Sequence, residues 1–201
     1  LASLGETTLE TAVNIPAAFT FQIELNQEDW RKRHAMVMFI GVVGRKMKQL
    51  SVCVNNLICL LADPQVRVRA AAATALGRIF SHSTPNLIEQ FHGTVIPALL
   101  SSLEKASVPR VAATAAAALA KCCKACPKPI LAGHCNAIMR TSVENLVKSH
   151  QQLLTEGKTR ILSKTVALIV CAKDASQFLG YYEDLIGPLK TILTGETHCH
   201  V

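Results

Sequence analysis

The amino-acid sequence predicts an all-α fold, an α-solenoid in which helix pairs stack in one open row. Long segments place apolar residues three and four positions apart, which is the spacing of a buried helical face. One such stripe consists of Val54, Leu57, Ile58 and Leu61. Strand signals are scarce, and the hairpin turns Asn-Gly and Asp-Gly do not occur in the 201 residues. Related stretches also recur along the chain, as in repeat proteins.

The recurring stretches each open an alanine-rich or aliphatic helical segment and follow another apolar helical segment. They have the letters DWRKRHA, DPQVRVRAA and PRVAA, at residues 29–35, 63–71 and 109–113. If Arg33, Arg69 and Ala112 are equivalent, the spacings are 36 residues (69 − 33) and 43 residues (112 − 69). These spacings indicate HEAT or armadillo repeats, whose period is about 40–47 residues with some irregularity.

We therefore interpret residues 1–201 as a single HEAT-repeat segment of about four helix pairs and a partial fifth. The predicted repeats span residues 15–48, 49–83, 85–126, 127–174 and, for the partial one, 175–201. The predicted helices span residues 17–25 and 29–48, 50–62 and 64–82, 85–104 and 108–125, 127–156 and 158–173, and 181–193. The expected buried face of the helix over 64–82 consists of Val68, Ala71, Ala72, Ala75, Leu76 and Ile79.

Five residues at the helix entries form a predicted structural repeat signature: Trp30, Arg33, Asp63, Pro64 and Arg69. Asp63 can cap the helix that follows it, and proline is preorganised for a first helical position. Arg69 follows Asp63 by six residues (69 − 63), and we expect its guanidinium to reach back to that carboxylate. We expect Trp30, the only tryptophan, to lock its helix against the neighbouring repeat. Alternatively, its ring clamps an extended peptide.

Composition excludes several classes of protein. With 50% hydrophobic and 17% charged residues, the chain has the apolar surface that disordered proteins lack. No apolar run is long enough for a transmembrane helix. Eight cysteines in 201 residues are too few for a disulfide scaffold and favour a reducing compartment. No signal peptide is recognisable, and Leu1 suggests a chain cut from a longer protein. The formal net charge of +7 favours acidic partners.

No catalytic motif is found. Since the Walker loop, G-x-S-x-G, H-E-x-x-H and the protein-kinase signature are all missing from the sequence, we expect neither enzymatic activity nor a cofactor. Gly41 and Gly44 lie in an apolar helical pattern without a preceding strand, which favours close helix packing over a nucleotide loop. Nucleic-acid binding is not favoured, because the aromatic residues occupy core-type positions and do not alternate with cations. These include Phe19, Phe21, Phe39, Phe80, Phe91 and Phe178.

One set of residues is a candidate zinc site: Cys123, Cys126, His134 and Cys135. Two cysteines separated by two residues, with a downstream His or Cys, can supply tetrahedral ligands. However, only one such pair exists, and it lies near a predicted helix end, where buried cysteine serves as an apolar filler. We therefore predict no metal site.

The helix entries and the aromatic pair near the end of the chain resemble the importin-β (karyopherin-β) family. The stretches that carry the resemblance are residues 29–35, 63–69, 109–118 and 181–190. The similarity extends over residues 16–193 and is strongest to the branch of importin five, also called Ran-binding protein five. Two departures from the family pattern are the net charge of +7, where many members are acidic, and Ala112, where an Asp–Arg contact would need arginine.

The resemblance implies a nuclear transport receptor that shuttles between cytoplasm and nucleus and passes the nuclear pore. It implies that Ran-GTP and cargo proteins bind a concave wall of second helices. Phe-Gly nucleoporins would bind between first helices on the convex wall. The alternative is a generic HEAT-repeat scaffold that serves partners unrelated to transport. Interior repeats lack polar caps, so we expect any dimer of this chain to be an artefact of its exposed ends.

Exposed cations at matching positions of the second helices are the candidate partner-binding residues. Side chains seven and four residues apart lie on one face of a helix, which places Arg67 and Arg78 together. The full set expected on the concave wall is Arg31, Arg67, Arg78, Arg110, Lys121 and Arg160. The alternative is that these residues are ordinary solvated surface charge without a specific partner.

Overall fold

The computed structural model describes residues 28–44, 50–81, 84–151 and 186. These residues form six α-helices and no strand, which confirms the predicted all-α class. The helices are α1 (Trp30–Val43), α2 (Leu50–Leu60), α3 (Val66–Ser81), α4 (Pro85–Glu104), α5 (Pro109–Ala125) and α6 (Lys128–Gln151). The helices predicted over 17–25 and 158–173 lie outside the described residues, as does the one over 181–193 except for Ile186.

The helices are arranged in two layers. Helix α3 packs between α1 and α5, and these three form what we call the α1/α3/α5 layer. In the other layer, α4 packs against α6, while α2 packs on α3 and α4 packs on α5 across the layers. The first residues of α1, α3 and α5 are 36 (66 − 30) and 43 (109 − 66) positions apart. These are the spacings that the recurring sequence stretches show, whereas the repeat boundaries themselves stay predictions.

Helix α3 is buried over most of its length. The six residues predicted for its buried face are all buried, as are Val54, Leu57 and Leu61 of the stripe predicted for the preceding helix. Ile58 is partly buried and packs against the same core. An α-helix with neighbours on several sides needs apolar residues on more than one stripe. The alanine run of α3 supplies them and keeps those neighbours close.

Two glycines mark where helices of the α1/α3/α5 layer come closest. A Cβ built on Gly41 would lie 3.1 Å from the Cβ of Ala75, and one on Gly77 would lie 2.8 Å from the Cα of Ala118. A Cβ on Gly44 would lie 3.2 Å from Ile79 Cδ1. Gly41 and Gly44 therefore serve close helix packing, as the sequence predicted.

The turn before α3 is tied to α1 by a bidentate ion pair. Arg33 Nε and Nη2 donate to the two carboxylate oxygens of Asp63 at 2.7 and 3.1 Å. Asp63 is only 6% exposed, and its Oδ1 also accepts from the Gln65 N–H at 2.7 Å. The hydrogen bond to Asp63 raises the pKa of Arg33 above its already high value. Asp63 and Arg33 thus link two repeats by charge-assisted hydrogen bonds, which are stronger than neutral ones.

The expected contact of Arg69 with the Asp63 carboxylate is wrong. Arg69 Nη1 donates instead to the backbone carbonyls of Asp63 and Pro64, at 2.7 and 3.1 Å, because Arg33 already occupies both carboxylate oxygens. The expectation that Pro64 starts the helix is also wrong. It lies in the turn, since the Asp63 side chain caps Gln65 and α3 begins only at Val66.

Of the phenylalanines that the structure describes, one departs from its predicted core position, whereas Phe19, Phe21 and Phe178 lie outside the described residues. Phe80 and Phe91 are buried, whereas Phe39 is 43% exposed. In α1 the buried face is made by Val37, Ile40 and Val43. Since successive residues of a helix are about 100° apart, Phe39 points away from that face.

A histidine pair joins the two packed helices of the other layer. His92 Nδ1 on α4 lies 2.9 Å from His134 Nε2 on α6, with the rings edge to face. Burial, and next the proximity of His92, lower the pKa of His134. Cys122 of α5 and Cys126, the residue after its end, line a small cavity beside His92. Because a hydrogen bond between two imidazoles needs one donor and one acceptor, the contact requires at least one neutral ring.

The ion pair generates a first prediction. We expect Arg33→Gln or Asp63→Asn to lower the free energy of unfolding by about 2–4 kcal/mol, because each leaves its partner charge under-satisfied. Arg69→Gln should cost less, about 0.5–1.5 kcal/mol, since it removes hydrogen bonds to carbonyls only. Urea unfolding of the single and double variants measures the coupling. Additive effects of Arg33→Gln and Asp63→Asn would contradict a direct pair.

The close approach of α3 and α5 generates a second prediction. Gly77→Ala places a methyl group 2.8 Å from the Ala118 backbone, so it should destabilise the fold by about 1–3 kcal/mol. Gly93→Ala is the matched control, because a Cβ on Gly93 meets no atom within 4 Å. This control should be stabilising by up to about 1 kcal/mol through helix propensity alone. Equal denaturation midpoints for the two variants would argue against this packing.

The histidine pair generates a third prediction. Because the folded pKa of His134 is lowered, the unfolded chain binds more protons once the pH falls below about 6.5. The part of the unfolding free energy that depends on neutral His134 is therefore fully present above that pH. It is lost as the pH falls toward the folded pKa of His134. Between pH 7.5 and 5.5 the wild type should lose more unfolding free energy than His134→Gln, which keeps every other titrating group. Parallel pH profiles of the two proteins would refute this role.

Candidate partner-binding surface

The helices of the α1/α3/α5 layer carry cations and no acids. Their sequences contain nine lysines and arginines, and neither aspartate nor glutamate. The nine are Arg31, Lys32, Arg33, Arg67, Arg69, Arg78, Arg110, Lys121 and Lys124. A surface of one sign repels like charge and attracts the opposite sign at longer range than hydrogen bonds reach. This layer is therefore suited to an acidic partner.

Three of the predicted residues form one row across the layer. Arg31, Arg67 and Arg110 are each the second residue of their helix, in α1, α3 and α5. All three are exposed. The axes of packed helices lie about 8–10 Å apart. Both Gly–Ala contacts of the layer join the twelfth residue of one helix to the tenth residue of the next, so the register repeats and equivalent positions lie near one another on adjacent helices. We call these three residues the arginine row.

Two further candidate residues form a second, shorter row. Arg78 and Lys121 are each the thirteenth residue of their helix, in α3 and α5, and both are exposed. The equivalent residue of α1 is Val42, which is 68% exposed. The two rows are eleven residues apart, about three helical turns or 16 Å, and so lie on the same side of the layer. Arg160 lies outside the described residues.

Trp30 makes cation–π contacts with the first two arginines of the row. The guanidinium carbons of Arg31 and Arg67 lie 5.1 and 5.5 Å from the centre of the Trp30 ring. The indole is half-buried and packs against the core. Cation–π contacts of this kind contribute about 0.5–1 kcal/mol each and restrict the guanidinium planes. The sequence predicted that Trp30 contacts the neighbouring repeat, but it gave no sign that the contact is with an arginine of the row.

The cations of both rows have no acidic partner in the part of the chain that the structure describes. Two ion pairs are present there. One is Arg33 with Asp63, and the other is the exposed pair of Arg140 and Glu144 on α6, with 4.0 Å between nitrogen and oxygen. Neither pair includes a residue of the rows. Among the described residues, the rows therefore have no ion pair that a partner would first have to break.

The residues considered for zinc do not come together as ligands. Across the described ranges, no three of His, Cys, Asp and Glu are close enough to hold a metal ion. His134 is hydrogen-bonded to His92, and Cys123, Cys126 and Cys135 are buried. Burial raises the pKa values of Cys122 and Cys126, which disfavours the thiolate that metals need. Among the described helices, none is both long and apolar enough to cross a membrane.

A groove lies between the two layers, at the junction of the α2/α3 pair and the α4/α5 pair. Its volume is about 440 Å³, within the range of small-molecule and side-chain sites. Its polar lining consists of Arg69, Ser101, Ser102 and Lys105. The Ser102 hydroxyl is buried and has no hydrogen-bond partner among the described residues. No motif in the sequence pointed to this groove.

Comparison with known proteins gives the same fold. The HEAT-repeat family matches residues 19–120. Importin subunit beta-3 of Saccharomyces cerevisiae is 26% identical over 174 residues, which are 84% of this chain and 15% of that protein. The structure of Kap121p bound to RanGTP has a TM-score of 0.73 and 24% identity, covering 89% of this chain and 18% of that chain. The structure of Kap121p bound to Nup53p has a TM-score of 0.74 and 24% identity, covering 88% of this chain and 17% of that chain.

This chain spans less than a fifth of the length of these relatives. At 24% identity, the similarity to the solved structures shows the fold. The family match extends over 102 residues (120 − 19 + 1) of 201, which is more than half. It includes the inter-repeat ion pair of Arg33 with Asp63 and both glycine contacts of the α1/α3/α5 layer. The chain therefore belongs to the family of HEAT-repeat proteins.

Proposed function

We propose that this chain is a segment of an importin-β-type nuclear transport receptor, of the importin-five branch, and that it is a binding scaffold and not an enzyme. Ran-GTP, cargo proteins or both bind through the α1/α3/α5 layer, which is the concave wall of this proposal. The observation that carries the proposal is the pair of exposed cationic rows on three adjacent helices without an acidic residue. The similarity to importin subunit beta-3 and to Kap121p bound to RanGTP supports it.

The rows suit a large acidic face better than a single small ligand. Planar guanidinium groups bind carboxylates with two parallel hydrogen bonds, which gives geometric selectivity in addition to attraction. Trp30 orients two of the three arginines before a partner arrives, so less side-chain entropy is lost on binding. The positive charge of the rows also accelerates the encounter with an acidic, negatively charged protein.

Binding and release would be coupled through the shape of the solenoid. Each repeat contacts only its neighbours, so small rotations at successive junctions add along the array. If Ran-GTP prefers one curvature and cargo another, each weakens the binding of the other by the same free energy. The arginine row spans the three helices of the layer, and a change of curvature would alter the spacing of its charges.

The other layer has a separate proposed role. In this proposal Phe-Gly nucleoporins bind between the first helices, α2, α4 and α6, as the family resemblance implies. The similarity to Kap121p bound to Nup53p supports a contact with a nucleoporin and leaves its position to the proposal. Such contacts would carry the receptor through the nuclear pore as it shuttles between cytoplasm and nucleus. A generic HEAT scaffold that binds an acidic protein unrelated to transport is the competing function, since cationic rows alone do not specify Ran.

The decisive experiment is binding of the natural protein to Ran loaded with GTP or with GDP. We expect GTP-selective binding that Arg67→Glu combined with Arg110→Glu weakens about tenfold or more, because each change places a like charge against an acidic face. Lys128→Glu combined with Arg140→Glu is the matched control. It makes the same change of net charge at exposed positions of α6 and should leave the affinity within about twofold.

The outcomes separate the alternatives. GTP-selective binding that neither double variant weakens would keep the transport function and place the Ran contact elsewhere in the protein. Equal weakening by both variants would indicate an effect of net charge and remove the rows from the contact. Failure to distinguish the two nucleotide states would contradict the transport function and favour the generic scaffold.

A further inference from the structure

Two arginines at equivalent positions have the same local setting. Arg33 is the fourth residue of α1 and Arg69 is the fourth of α3. Arg33 Nη1 donates to the carbonyl of Glu28, five residues earlier, at 3.0 Å. Arg69 Nη1 donates to the carbonyl of Pro64, also five residues earlier, at 3.1 Å. Both guanidinium groups are thus anchored at the same nitrogen and oriented by the turn before their own helix.

The two arginines differ in what the next repeat provides. Arg33 Nε and Nη2 bind the carboxylate of Asp63, which lies three residues before α3 (66 − 63). The residue three positions before α5 (109 − 3) is Ala106. Throughout the described ranges, Nε and Nη2 of Arg69 find no hydrogen-bond acceptor. Within the described residues, the junction of α3 and α5 therefore lacks the carboxylate that the junction of α1 and α3 has.

The groove of about 440 Å³ lies at this point. Arg69 and Ala106 both line it, together with a second cation, Lys105, and the hydroxyls of Ser101 and Ser102. No acidic residue is among the lining residues that the structure describes. The remaining lining is apolar and consists of Ile58, Leu61, Ala62, Ala98 and Val111.

We propose that this groove is a binding site for an acidic side chain, an aspartate or glutamate in a segment of a partner protein. The carboxylate binds Arg69 Nε and Nη2 in the manner of Asp63 on Arg33, with Lys105 beside it. A neighbouring apolar side chain of the same segment fills the groove. Two observations identify the ligand as a planar carboxylate: the positive charge of the groove, and the equivalent contact of Arg33 with Asp63 one repeat earlier. The edge of a guanidinium binds such a group bidentately.

The location of the groove distinguishes this site from the proposed transport contacts. The arginine row faces a partner on the surface of the α1/α3/α5 layer, whereas this groove lies at the turns between α2 and α3 and between α4 and α5. The groove needs neither Ran nor the cationic rows. Its existence is therefore independent of the proposed function and can fail or hold by itself.

The probe is the acetylated and amidated pentapeptide ALDLA, which has one carboxylate and no charged termini. Titration of the 201-residue chain, followed by amide NMR shifts, should perturb Ser102 and Ala106 saturably. The control peptide ALNLA, in which an amide replaces the carboxylate, should bind the wild type at least about tenfold more weakly than ALDLA does. ALDLA should likewise bind the Arg69→Gln variant at least about tenfold more weakly than it binds the wild type. Arg69→Gln also removes hydrogen bonds within the turn, so a second variant is needed.

The variant Ala106→Asp supplies the second test without removing any contact. It places a carboxylate where the preceding repeat has Asp63, so it should abolish binding of ALDLA and raise the melting temperature by about 2–4 °C over Ala106→Asn. The isosteric Ala106→Asn controls for the added bulk. Equal affinity of Ala106→Asp and Ala106→Asn for ALDLA, or equal affinity of the wild type for ALNLA and ALDLA, would overturn the proposal. Binding of the free-acid dipeptide AL but not of ALDLA would also overturn it, in favour of a chain-terminus site.

Discussion

Everything described of this solenoid depends on how closely three helices approach one another. At two points in the α1/α3/α5 layer, glycine faces alanine at distances that no larger pair of residues allows: Gly41 against Ala75, and Gly77 against Ala118. A helix pair cannot bury its apolar face alone, so it must stack on its neighbours. Small residues let the neighbours come near enough for α3 to be buried on several sides. That approach also fixes which residues of successive helices lie side by side.

The charge of the surface follows from this packing. Once equivalent residues of α1, α3 and α5 are side by side, a cation at the same position of each helix becomes a row of like charges. Such a row repels itself, and apolar burial beneath it must outweigh that cost. Arg33 is different, because Asp63 neutralises it across the junction. The rows have no such partner within the described residues, which is why a site for an acidic protein is the economical explanation of them.

The sequence predicted the periodic features and missed those that join repeats. Apolar spacing located the buried face of α3, and the intervals of 36 and 43 residues (69 − 33 and 112 − 69) matched the helix starts. The sequence predicted a contact between Arg69 and the Asp63 carboxylate because the two residues are near in sequence. In the structure that carboxylate binds Arg33, thirty residues away. Nothing local distinguishes these arginines. The groove is lined by Ala106, at the position where the preceding repeat has Asp63. Aligning the turns as well as the helices would have been needed to notice this difference.

The two junctions of the α1/α3/α5 layer therefore resist rotation by different means. The junction of α1 and α3 has helix packing and, at its turn, two charge-assisted hydrogen bonds from Arg33. At the equivalent turn of the next junction, the described residues provide packing without those bonds. A carboxylate bound to Arg69 would supply them, and it would stiffen the junction that Arg67 and Arg110 lie across. If both proposed sites bind their partners, occupation of the groove would affect the spacing of the arginine row through this joint, and the effect would be reciprocal.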